Sequence, residues 1–554
     1  MMFTLDPYAA RSCALKTHHA FHPGVVRPAT AIPQARMPGS AEFTAGTYAR
    51  ILAGRAGVVD LRDLLSEPNE AQEDACLAAM DAGAEVIIGG LLPRDWEGHR
   101  SSRADLLVRS TSGGYYPGLV KFQRVVDARK DDFEFIYSEL DDLPSRCSTT
   151  GRRYRWHWRW ANTLQLAHLW RHLTALGRAA ASEPAGLVIG NDDAFDQVAC
   201  WLDLDESSCP PAPTQVNGAA AEGVAQVTPL ERYDHDFALR VGLAERASAA
   251  DPDDPPLLKP IVCYECSYCP WWSYCRSELD DDDLSLRINK SPLDGHEISV
   301  LRESGVATVA DLAKIDLDAL LPAYLSRVVH RTGAEDRLRL AQRRSQLLVN
   351  GVELERTLTG PIEIPQARVE IDIDVETSKE DRVYLWGFWV SEPGDGGYYR
   401  EFSSFTDLDE AGELALARQA MTWLREIAER DDALVFHYSD YEVVRLTRLA
   451  KSGDEALRWA VGYAREHFVD LFATVRKHYF GTNGLGLKVV ASAGAGFHWR
   501  DDDPGGLNSM RWFDEAVHAP SAEARQLART RVLEYNEDDV LATWQLRRWL
   551  REQP

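Results

Sequence analysis

The sequence predicts a multidomain α/β protein, and three observations carry that expectation. The chain has 554 residues, a length that suggests two to four domains. β-rich runs alternate with helical patterns in both halves. Pro-rich and acidic stretches, "SAADPDDPPLLKP" (248–260) foremost, divide the chain between them.

Bulk composition narrows the class. A hydrophobic fraction of 45% with 27% charged residues fits a soluble globular chain. No run of eighteen apolar residues reads as a transmembrane helix, so no membrane partner is expected. The N-terminus, "MMFTLDPYAARSCALKTHH", lacks a basic segment followed by an apolar one and does not read as a signal peptide. A cytoplasmic location is expected, and nine cysteines in a reducing compartment point to metal binding rather than disulfides. A net charge of −25 argues against a basic surface for gripping duplexes. It leaves room for a local basic channel, because acid concentrates in patches such as "SELDDDDLS" and "WRDDDPGG", which read as solvated loops.

The first region (1–290) opens with a helix at 69–83. Three strands follow at 84–92, 103–111 and 115–127, then a helix at 160–180 and a strand at 185–192. Between them, "TGRRYRWHWRWAN" (150–162) alternates Arg152, Arg153, Arg155 and Arg159 with Tyr154 and three tryptophans. Such a strip can meet phosphates with guanidinium groups and stack bases on rings. The same pattern suits a half-buried strand with a charged outer face. The next segment (291–350) holds two short helices broken at Gly305, then an Arg-rich helix over 326–348. "ELERTLTGPIEIPQA" (353–367) reads as a linker into the last region, 361–554.

That region carries the carboxylates. In "RVEIDIDVETSKEDRVYLWGFWV" (368–390), two β-rich runs flank a polar turn. Asp372, Asp374 and Glu376 alternate with Ile371, Ile373 and Val375, so three acids share one strand face. Like charges side by side are unfavourable, and a divalent cation is the usual compensation. "LVFHYSDYEVVRL" reads as a strand leading into a helix with Glu442. In "YNEDDV", Tyr535 and Asp539 lie four apart, on one helix face. The alternative for these acids is a solvated strand edge and a helix-surface aspartate.

These residues resemble the RNase H-like 3′–5′ exonucleases with four acids and a motif tyrosine. Asp374 and Glu376 match the first motif, and Tyr535 and Asp539 match the last. The middle motif departs from the pattern, offering His437 and then Glu442 in the acid position. The resemblance implies an RNase H-like fold and two Mg²⁺ or Mn²⁺ ions about 4 Å apart that clamp a phosphodiester. It also implies that Tyr535 orients or deprotonates the attacking water.

"RADLLVR" followed by "GLVK" resembles the PD-(D/E)xK nuclease core of RecB-type enzymes, with Asp105 and Lys121 in motif positions. Gln165 keeps the helix glutamine of that core, but Leu169 stands where a tyrosine is expected. Leu119 occupies the glutamate position, and leucine cannot ligate a cation. The resemblance makes Glu70 or Glu73 a substitute acid; without one, the core is a nucleic-acid platform.

The cysteines follow Cys263-x2-Cys266-x2-Cys269-x5-Cys275. Thiolates this close suit a metal or cluster, and the lack of a second distant knuckle fits zinc poorly. "CSYCPWWSYC" resembles the iron–sulfur staple of RecB-family nucleases. That resemblance implies a 4Fe-4S cluster held by Cys266, Cys269 and Cys275 with an upstream partner, for which Cys13 has the right position. A local site using Cys263, or zinc, stays open. Cys76, Cys147, Cys200 and Cys209 read as ordinary residues. "ISVLRESGVATVADLAKI" (298–315) resembles helix-hairpin-helix modules, which bind backbone phosphates.

The order of parts resembles a family of predicted bacterial RecB-like nucleases. It implies a metal-dependent nuclease, of 3′–5′ exonuclease type, acting on DNA or RNA in repair or processing, with a helicase as a candidate partner. The rival expectation is a non-catalytic nucleic-acid-binding protein with degenerate cores and a structural or sensing cluster.

Overall fold

The computed structural model describes residues 2–27, 39–54, 56–192, 196–213, 225–288, 293–392 and 396–554; the side chains of 156–159 and 507 lie outside that description. The fold is mixed α/β, with two compact units meeting in sequence between Ser345 and Gln346. Among the described residues no helix is long and apolar enough to cross a membrane.

The first unit is built on an eight-stranded sheet. Its centre is Leu106–Arg109 antiparallel to Tyr115–Arg124, which runs parallel to Ala185–Asn191. Helix Asn69–Asp81 precedes these strands. Helix Trp156–Ala175 packs on the sheet through Leu164, Leu166 and Leu173, all fully buried. It ends where Gly177 adopts φ 66°, a backbone conformation that glycine takes without cost.

The alternating strand expected over 150–162 is corrected here. Only Arg152–Tyr154 is extended, paired with Val126–Ala128, and the chain turns helical from Trp156. The apolar spacing of "WANTLQLAHLW" extends back into the tryptophans, so the helical period prevails over the local alternation.

The helical segment contains helices Gly295–Glu303, Val309–Lys314, Leu317–Leu325 and Ala334–Val349. Gly305 breaks the first pair at φ 82°, as its position predicts. Four arginines of the Arg-rich stretch are paired with acids of the same segment. Arg337 reaches the fully buried Glu297 at 2.5 Å, Arg331 reaches Asp294 at 3.2 Å, Arg339 reaches Asp318 and Glu335, and Arg327 reaches Glu303.

The second unit has a five-stranded sheet in the order Tyr398–Ser403, Val383–Ser391, Val369–Thr377, Ala433–His437, Phe468–Asp470. The first three strands are antiparallel, and the last two run parallel to Val369–Thr377. Ile371, Ile373 and Val375 pack with Leu416, Ala420, Met421 and Leu424 of helix Glu410–Arg430. The opposite, acidic face lies under the C-terminal helix Ala522–Arg551, so the strand is almost wholly buried. The linker reading of 353–367 is also corrected. Leu354–Arg356 pairs with Tyr479–Gly481, and Ile362 and Ile364 are buried beside Leu546 and Leu550.

Candidate active site

The acid strand and the C-terminal helix bring Asp374, Glu376 and Asp539 together. One carboxylate oxygen from each lies within 4.8 Å of the other two. Glu376 and Asp539 are each 6% exposed, whereas Asp374 keeps partial solvent access, so the cluster has an open side. Among the described residues no other trio of histidine, cysteine or acidic groups approaches so closely.

Asp372, two residues before Asp374 on the same face, does not join them. It is fully buried and bound twice by Arg547, at 3.1 and 2.8 Å. An acid already matched by a guanidinium has no call for a metal, and the three-acid face divides into a structural ion pair and a site. Asp538 is likewise committed to the Arg500 Nε–H at 2.8 Å.

Glu442 enters from helix Tyr441–Ala450, directly after strand Ala433–His437. It is 4% exposed, and its Oε2 has no hydrogen-bond partner; His437 Nδ1 stands 3.8 Å away. Burial keeps that imidazole toward its neutral form. A buried, unpartnered carboxylate oxygen beside other acids suits a cation.

The electrostatics point the same way. Burial, then the charges of Asp539, Glu376 and Glu442, hold Asp374 well above the usual carboxylate range. Burial and Asp539 push Glu376 up to about 8, and burial with Asp470 and Asp440 does the same for Glu442. Burial and Asp539 raise Tyr535 as well, so it stays a phenol able to orient a water. Hard oxygen donors crowded beyond what protons relieve fit Mg²⁺ or Mn²⁺.

This arrangement has a pH consequence. Glu376 and Glu442 keep protons in the folded, metal-free protein up to about 8, against an ordinary 4.5. Between those values the folded state binds more protons than the unfolded one, so stability falls as pH rises. Thermal unfolding in EDTA should therefore show a falling midpoint across that window. Saturating Mn²⁺ should flatten it by replacing the protons. A midpoint independent of pH in EDTA would contradict the shifts.

Four neighbours complete the site, and none is evident from sequence spacing. Asn536 Nδ2–H donates to Asp374 Oδ2 at 2.7 Å, and Ser509 Oγ–H donates to Glu376 Oε2 at 2.6 Å. Trp499 Nε1–H donates to Asp539 Oδ1 at 2.6 Å, and Lys488 Nζ–H donates to Tyr535 Oη at 2.9 Å. Gly387 lies opposite Asp374 in the sheet, and a Cβ there would stand 1.7 Å from Asn536 Oδ1. The glycine lets the amide reach the acid.

In the first unit, Asp105 accepts a hydrogen bond from the Val120 N–H at 2.9 Å, and Lys121 Nζ–H donates to Gln165 Oε1 at 3.0 Å. Leu119 and Leu169 are buried in the core. Glu70 is exposed, Glu73 is held high by burial against the pull of Arg94, and among the described residues Asp105 belongs to no trio of ligands. Arg152 faces Asp192 at 3.7 Å, and Arg153 bonds Asp131 at 2.8 Å while its guanidinium lies 3.8 Å from the Phe133 ring centre. The Arg155 N–H donates to Val125 O, and the Arg159 side chain lies outside the described residues.

Cys13, Cys266, Cys269 and Cys275 line one cavity with Leu15, Ile261, Val262 and Trp272. Cys13 directly precedes helix Ala14–Phe21, and Cys275 lies in helix Trp272–Ser277. Cys263 is exposed and not part of that lining; its Sγ lies 4.0 Å from Cys266 Sγ. His19 Nε2 approaches Cys275 Sγ at 3.4 Å.

Residues 371–551 match the model of a family described as the RNase H superfamily. The C-terminal unit thus contains an RNase H-like domain, and the acid trio lies within it. No curated protein and no solved structure matches the chain.

Proposed function

We propose that the protein is a divalent-metal-dependent nuclease, of 3′–5′ exonuclease type, whose RNase H-like domain cuts DNA or RNA. The observation that carries this is the meeting of Asp374, Glu376 and Asp539, from opposite ends of that domain, with ligand oxygens within 4.8 Å. Asp374, Glu376, Asp539 and Glu442 would hold the metal, which supplies Lewis-acid stabilisation of charge on the phosphoryl oxygens. Tyr535 orients a water. The water oxygen attacks phosphorus, the bond to the leaving oxygen breaks, and one water proton passes to that oxygen through solvent. Mn²⁺ should support shortening of 3′-labelled single strands, and EDTA should abolish it. Binding that persists in EDTA, with no cleavage in any divalent metal, would select the non-catalytic binding protein instead.

The first unit, in this proposal, is a RecB-like core that binds nucleic acid and is closed by a cysteine staple. Asp105, Lys121 and Gln165 support the lineage, and the absence of a ligand trio around Asp105 among the described residues supports a binding role. Cys13 lines the cavity with Cys266, Cys269 and Cys275, and Cys263, whose thiol contacts both Cys13 and Cys266, stays the alternative fourth ligand. No three of these sulfurs lie within 4.8 Å of one another, whereas thiolates on one zinc ion stand about 4 Å apart. That spacing favours a 4Fe-4S cluster over Zn²⁺. Anaerobically purified protein should be brown and contain iron and sulfide, and Cys269→Ser should lose both. Colourless protein with zinc would overturn the cluster. A helicase partner and a cytoplasmic location belong to the same proposal.

A further inference from the structure

We propose that His18 and His19 form a relay that delivers an N–H hydrogen bond to the Cys275 thiolate and so raises the reduction potential of the cluster which that sulfur helps to hold. The inference rests on the cysteine-staple reading and deepens it. Cys275 belongs to the staple whether Cys13 or Cys263 completes it. Both rings stand on helix Ala14–Phe21, His18 fully buried and His19 2% exposed. His19 Nε2 lies 3.4 Å from Cys275 Sγ, and His19 Nδ1 lies 3.2 Å from His18 Nδ1. At the far end of the chain of contacts, the Leu257 N–H donates to His18 Nε2 at 3.3 Å.

That backbone amide fixes where each ring proton sits. An amide N–H only donates, so His18 Nε2 carries a lone pair and the His18 proton lies on Nδ1. His18 Nδ1–H faces His19 Nδ1, which must accept, because two N–H groups cannot share one contact. The His19 proton is then on Nε2 and aimed at the sulfur. The opposite direction, with a thiol donating to His19 Nε2, would put a proton on His18 Nε2 against the Leu257 N–H. The sulfur is therefore the acceptor, the role a metal-bound thiolate can fill.

Neighbouring side chains hold both rings. His22 stacks on His18 with ring centres 4.9 Å apart, and its own Nδ1 accepts the Gly24 N–H at 3.1 Å. Tyr274 meets the His19 ring at 75° and 5.0 Å, and Trp271 lies 6.1 Å away. Buried among these rings, the hydrogen bonds are stronger than they would be in water. A hydrogen bond to a ligating sulfur favours the more negative, reduced cluster over the oxidised one. His19 is the donor, and His18 is a positioning residue that acts through it.

The test reads the cluster and not the nuclease. Anaerobically purified full-length protein is titrated with dithionite, and the reduced cluster is followed by electron paramagnetic resonance. One electron takes a 4Fe-4S cluster from its 2+ to its 1+ state. At fixed poise, His19→Phe should lower the reduced-to-oxidised ratio about tenfold, a midpoint about 59 mV more negative. His18→Phe, which keeps the donor and removes its anchor, should give a smaller shift of the same sign. With histidine alone labelled by ¹⁵N, spin-echo modulation of the reduced wild type should show a weakly coupled histidine nitrogen that His19→Phe lacks. His19→Gln should lose that nitrogen yet keep part of the potential, and it carries the comparison if His19→Phe does not retain iron. Equal midpoints for wild type and the His19 variants, or a strongly coupled nitrogen marking His19 as a direct ligand, would overturn the proposal and leave the cluster standing. Colourless wild-type protein would remove the cluster reading, and the proposal with it.

Discussion

Asp374→Asn lowers metal-dependent hydrolysis by about a thousandfold, about 4 kcal/mol of transition-state stabilisation, while the protein stays folded. The expectation follows from the atoms around that carboxylate. One oxygen accepts the Asn536 amide at 2.7 Å, and an asparagine oxygen can accept the same bond. The lost element is negative charge at a position where the charges of Asp539, Glu376 and Glu442 raise the proton affinity of Asp374, and that of Asp539 raises Glu376 and Glu442 as well. The substitution therefore relieves repulsion in the metal-free state. The thermal midpoint in EDTA should rise above that of the wild type at pH values above about 8, where carboxylates otherwise ionise together. Loss of activity with gain of metal-free stability is a pattern that unfolding cannot imitate. Equal activity of the variant and wild type would remove Asp374 from the site.

The contrast between legible and hidden parts follows the range of the interactions. Val369–Thr377 and Val383–Ser391 are written in local alternation, and the turn between them needs only a polar run. Tyr535 and Asp539 are legible for the same reason, since four residues of helix put them on one face. Lys488, Trp499 and Ser509 reach the acids across 40 to 133 residues of chain, and nothing in their own neighbourhood marks them. Asn536 sits inside a motif, yet its role depends on Gly387 in a separate strand.

Asp372 is the instructive misreading. Its spacing from Asp374 and Glu376 is that of a third site acid, and only Arg547, 175 residues away, commits it elsewhere. "RYRWHWRW" misleads in the opposite way: short alternation suggests a strand, but the helix behind it extends the longer period through the tryptophans.

Arg547 carries the second large effect. It is 1% exposed, bonds Asp372 through Nε and Nη2, contacts Glu370, and lies 4.3 Å from the Phe436 ring centre. Glu370 has a second partner in Arg551 at 2.7 Å, but Asp372 has none besides Arg547 among its recorded bonds. Burial already raises Asp372, and Arg547 opposes that rise. Arg547→Ala leaves a wholly buried acid uncompensated and should cost about 3–5 kcal/mol. Urea unfolding of the full chain measures it, with the C-terminal transition identified as the one that Mn²⁺ shifts upward. Replacing both partners, Arg547→Met with Asp372→Leu, should recover most of the loss, because removing both charges also removes their desolvation cost. An Arg547→Ala transition within about 1 kcal/mol of wild type would mean that Asp372 is solvated or protonated in the folded protein, and the buried pair would then not be what joins the acid strand to the C-terminal helix.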